Sequence, residues 1–272
     1  MWRELRVSVV VACAVLVAGC GVMNRLTFIR PSTGKGEFTK VAPTYDVSGG
    51  KKKGQDPGDA AMLLASATML YQRGDLAGAE GLARKALKAQ PGSGDANTLL
   101  GLVASARSDE AAAGKFYQAA SAAAPGNGIY ANNYGGWLCA NGRAGESLDW
   151  FDRALADPAY PTPAAALANA GECAVKAGQP ARAETSWRGA LALDANNLAA
   201  LAGMAALEFG NGRYLEARAF VERWLALAPD DAAGLSLAAQ TEQKIGDNVA
   251  ASRYRSRLQA ISSGSTAAPR TQ

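Results

Sequence analysis

Four glycines frame this chain. Gly142, Gly178, Gly212 and Gly246 are separated by 36, 34 and 34 residues. Two further steps of 34 residues toward the N-terminus reach Ser108 and Gly74. Small residues recur around all six markers. Five residues after them stand Ala79, Ala113, Ser147, Ala183, Ala217 and Ala251. Seven residues before them stand Ala67, Gly101, Gly135, Gly171, Ala205 and Ala239. Twelve residues after the first four stand Ala86, Ala120, Ala154 and Ala190, with Trp224 and Leu258 in the last two units. A unit of this length cannot bury its own apolar face, so the units must stack.

The period and its small positions resemble the tetratricopeptide repeat. The resemblance covers residues 59–262, in six units, and implies an all-α superhelix of helix-turn-helix repeats. The physics agrees with it. A glycine at each turn carries a left-handed backbone without a Cβ penalty. Small residues on either side of the turn let two helices approach closely. Pro91, Pro125 and Pro229 end second helices, because proline cannot donate the next backbone bond. The two extra residues between the third and fourth units fall in "DPAYPTP", Asp157 to Pro163, a longer and stiffer connection. The sixth unit places Arg253, Arg255 and Arg257 where earlier units have apolar residues, as a capping repeat requires. Residues 263–272 read as a disordered tail.

The N-terminus reads as an address. "MWRELR" precedes an apolar run from Val7 to Val17, too short to cross a bilayer. The run ends in "LVAGC", which resembles the lipobox of bacterial lipoproteins. That resemblance implies a signal peptide over 1–19, cleavage before Cys20, and acylation of Cys20. Gly21 in the next position implies sorting to the outer membrane, with the protein lipid-anchored on its periplasmic face. Residues 20–58 have the glycine-, serine- and lysine-rich composition of a flexible tether. Residues 21–58 hold seven basic and three acidic residues, a net +4 that equals the charge of the whole chain. The repeats are therefore close to neutral, unlike a nucleic-acid-binding domain.

The chain has no histidine. It lacks the commonest general base and zinc ligand. Glu172, Glu208 and Glu242 recur on first helices but in separate units. No nucleophile-base pair or metal quartet emerges, and no catalytic residue, cofactor, metal or small-molecule substrate is expected.

One stretch exceeds the generic repeat: "NNYGGWLC", Asn132 to Cys139, on the first helix of the third unit. Tyr134 and Trp137 are expected to pack, and Gly135 to mark a helix contact. Together with "DPAYPTPAAALANAGECAVKAG" it is similar to the lipoproteins of type IV pilus biogenesis that form the pilotin family. Their pattern is an "NNYG" helix, a proline-interrupted "YP" connection and an "NAG" helix. The resemblance implies a partner, the type IV pilus secretin, and a role in its outer-membrane localisation and multimerisation. The alternative is a lipoprotein adaptor for another envelope machine, such as a tight-adherence pilus, a secretion system or a cell-wall hydrolase.

Partner contacts are expected on first helices, at Leu64, Thr68, Tyr71, Thr98 and Leu102, with Asn132 as a polar contact. The same apolar stripe also reads as inter-repeat core, and periodicity alone does not separate the two. Cys139 and Cys173 lie 34 residues apart on the first helices of units three and four. They fall two register positions apart, within bridging reach of adjacent helices, in an oxidising compartment. Either they form a disulfide, or they are two buried thiols packing as small hydrophobes.

Overall fold

The computed structural model describes residues 57–264. The signal at 1–19, Cys20, nearly all of the tether and the end of the tail lie outside the described residues. The described residues form twelve α-helices. They pair as α1 (Pro57–Gln72) with α2 (Leu76–Ala89), α3 (Gly94–Ala106) with α4 (Glu110–Ala123), and α5 (Gly128–Ala140) with α6 (Ala144–Ala156). The series continues with α7 (Pro163–Lys176) and α8 (Pro180–Leu193), α9 (Leu198–Gly210) and α10 (Tyr214–Leu227), then α11 (Ala232–Ile245) and α12 (Asn248–Gly264). The first helix begins, and the last ends, two residues outside the 59–262 read from the repeat pattern.

Local chemistry sets the helix ends. Asp75, Asp109, Asp231 and Asp247 each accept a backbone N–H three residues on, satisfying one orphan donor of the helix that follows. Ser93, Asn127 and Asn197 do the same for α3, α5 and α9. Helices α7 and α8 lack a side-chain cap and start on Pro163 and Pro180, where the missing N–H costs nothing. All six marker residues adopt positive φ, including Ser108 at 62°.

The small positions are the contacts the pattern implies. Ala79, Ala113, Ser147, Ala183, Ala217 and Ala251 are all fully buried. Gly171 shows why size matters: a Cβ there would lie 2.3 Å from the Trp187 indole nitrogen. Trp187 fills that space and donates to the Ala168 carbonyl at 3.2 Å.

Each helix packs on the next in sequence, and first helices also touch the first helices of neighbouring units. Consecutive second helices bring no Cα atoms within 8 Å. The closer spacing on one side curves the stack, with first helices inside and second helices outside. The connection after α6 is two residues longer than its counterparts and folds inward. Tyr160 is buried against Ala131, Ala154 and Ala166. Asp157 accepts from Gly128 N at 2.8 Å, tying this loop to the start of α5.

Candidate interaction surface

The inner face is built from first helices, so a residue's distance before the turn decides what it meets. Leu64, Thr98 and Asn132 stand at one register position of successive units. All three are at most 3% exposed. Asn132 shows the cause: its side-chain oxygen accepts from Asn169 of α7 at 3.2 Å, so this row faces the neighbouring first helix. Leu102, four residues beyond Thr98, is also core. Of the two readings of the apolar stripe, the burial of these four fits inter-repeat core. A docking segment would have to displace an internal contact to reach them.

Thr68 and Tyr71 differ, being half-buried. Thr68 donates back to the Leu64 carbonyl at 2.9 Å. Their register equivalents vary along the stack: Leu102 and Cys139 are buried, whereas later units are more open. Val175 is 49% exposed at the position Tyr71 holds in the first unit, and Phe209 is half-buried there in the fifth. Glu172 pairs with Lys176 at 3.0 Å beside Val175. The reachable inner surface is thus confined to parts of the two rows nearest the turns, at Thr68 and Tyr71 in the first unit, Glu172 and Val175 in the fourth, and Phe209 in the fifth. Such a strip suits an extended or helical polypeptide segment rather than a small molecule.

Helix α1 adds a feature that the sequence reading missed. Met62 and Met69 are 59% and 52% exposed, seven residues apart on the face opposite Leu64 and Ala67. Their spacing was the available signal. Asp95 was missed as well. It accepts from the Tyr130 hydroxyl at 2.7 Å, bridging α3 and α5 at the rim of the inner face. Burial pushes the Asp95 carboxyl above its usual range, and the hydrogen bond only partly offsets this.

The "NNYGGWLC" helix is almost wholly internal. Tyr134 stacks on Trp137 with centroids 5.9 Å apart and meets Trp150 edge-on at 4.7 Å. Trp137 donates to the Glu110 carbonyl at 3.0 Å. Cys139 of α5 and Cys173 of α7 are joined in a disulfide, with Cα atoms 5.8 Å apart. The bond ties two first helices across the long connection. No cluster of three metal-ligating side chains occurs among the described residues. None of the helices described is long and apolar enough to cross a membrane.

Known proteins share this arrangement. Models of the tetratricopeptide repeat match residues 52–94, 64–128 and 174–241. The chain is a tetratricopeptide-repeat protein. The type IV pilus assembly protein PilF of Pseudomonas aeruginosa is 28% identical over 213 residues, which are 78% of this chain and 84% of PilF. The crystal structure of PilW, described as a widely conserved type IV pilus biogenesis factor, superposes with a TM-score of 0.69 at 28% identity. That match covers 74% of this chain and 92% of PilW. The Pseudomonas aeruginosa PilF structure gives 0.70 at 26% identity, over 75% of this chain and 91% of PilF. This tetratricopeptide-repeat protein is homologous to PilF and PilW along nearly the whole repeat domain.

Proposed function

We propose that this chain is an outer-membrane lipoprotein that acts without chemistry in type IV pilus biogenesis. Anchored through Cys20, it binds subunits of the pilus secretin on the inner face of its repeats and promotes their localisation and multimerisation. The observation that carries the reading is the match to PilF and PilW, which spans the repeat domain and about nine tenths of each relative's structure. The site geometry supports it. The partly exposed inner positions, apolar and polar, suit recognition of a polypeptide segment. Holding tethered subunits at one membrane raises their effective concentration, which favours ring assembly with no energy input.

The test is deletion of the gene, followed by separation of secretin monomers and multimers in outer-membrane fractions. Loss of multimers, restored by the wild-type gene but not by Cys20→Ala, is the expected result. Undiminished multimers in the deletion strain would remove the secretin from the reading and favour another envelope machine as partner.

A further inference from the structure

The outer side of the stack carries a feature that the inner-face reading does not use. Because second helices diverge, α10 and α12 leave a cleft of about 510 Å³ between them, with Glu242 of α11 at its base. Arg218 forms a two-pronged ion pair with the nearly buried Glu242, one arm at 2.8 Å, and Asp247 lines the cleft as a further carboxylate. Above it, Glu222 of α10 and Arg253 of α12 both line the cleft. Neither makes a hydrogen bond or ion pair with another described residue. Two opposite charges thus share one cleft without pairing across it. Arg257 adds a second cation on the Arg253 side, with one guanidinium arm held by the Pro229 carbonyl. Tyr254 supplies an aromatic wall, and its hydroxyl stays neutral because burial, reinforced by Glu222 and Glu242, raises its pKa.

We propose that this cleft is a second binding site, for a short peptide segment that carries an ammonium and a carboxylate close together. The ammonium pairs with Glu222, and the carboxylate with Arg253 and Arg257. The volume lies in the range of ordinary ligand sites, large enough for a few residues. A simple anion would gain from the arginines but meet Glu222, and a simple cation the reverse. The lining carries both signs, with Asp247 as a further anion, so only a ligand with both signs finds an opposite charge for each of its groups. A zwitterionic lipid headgroup has the right charges, but the lining is charged, with one alanine and one tyrosine, and gives acyl chains no apolar rim. The site lies on the second-helix side, so it can be filled while the inner face holds its own partner.

The experiment measures dissociation constants for the purified full-length protein in detergent micelles by ligand-observed NMR. The probes are acetylated, amidated peptides Lys-Glu, Lys-Ala-Glu and Lys-Ala-Ala-Glu, with Lys-Ala-Ala, inorganic phosphate and phosphatidylethanolamine vesicles as comparators. At least one mixed-charge peptide binds more tightly than every comparator. Glu222→Gln and Arg253→Gln each weaken it about tenfold, as expected for a charge-assisted contact. The exchanged pair Glu222→Arg with Arg253→Glu regains binding. Both positions are exposed, so the variants fold. Equal binding of phosphate or of Lys-Ala-Ala, vesicle binding alone, or single variants that bind like wild type would each overturn the proposal.

Discussion

Ser108 holds the left-handed backbone that the other five turns give to glycine. For a residue with a Cβ this conformation costs about 1–2 kcal/mol. Glycine would remove that cost but lose more chain entropy on folding, about 0.5–1 kcal/mol. Ser108→Gly is therefore expected to stabilise the protein by about 0.5–1 kcal/mol, raising the melting temperature by about 2 °C in a calorimetric scan. An unchanged or lower melting temperature would show that the serine is compensated by something other than backbone conformation. Residues of this kind were the most legible in the sequence. A turn marker and a buried alanine are each dictated by one local constraint, and that constraint recurs six times. The side chains between them were less legible. Leu64, Thr98 and Asn132 satisfy the helical spacing of a groove and of a core equally, and only the approach of the next first helix decides for the core.

Among the elements, α5 and α7 carry the most interactions peculiar to this chain. The two extra residues between α6 and α7 were plain in the repeat arithmetic. Their consequence was not, because the inward turn of Tyr160 depends on Ala131, Ala154 and Ala166 meeting around it. The Cys139–Cys173 disulfide spans the same joint and closes a loop with a sequence separation of 34. On the chain-entropy model such a bond stabilises the fold by about 4 kcal/mol. Cys139→Ala with Cys173→Ala is expected to lower the melting temperature of the oxidised protein to that of the reduced wild type. Amide exchange should rise most in α5, α6 and α7. Equal melting temperatures for oxidised wild type and the double variant would remove the bond from the account of stability. At the outer end, the expectation that the last unit caps the stack is matched by an exposed arginine row on α12. The cleft beside it was not foreseen, since it needs α10, α11 and α12 placed together.

The whole molecule is a curved stack whose two sides differ for one reason: first helices touch and second helices do not. The inner side is consequently closed near the helix contacts and open near the turns. The outer side is grooved. The central claim is that partner binding uses the open inner rows of first helices. Hydrogen–deuterium exchange on the purified protein, with and without a secretin subunit, tests it most directly. The account predicts slowed exchange in α1, α7 and α9, centred on Thr68, Tyr71, Val175 and Phe209, with the second helices unchanged. No protection at all, or protection confined to α2, α4, α6 and α8, would contradict it.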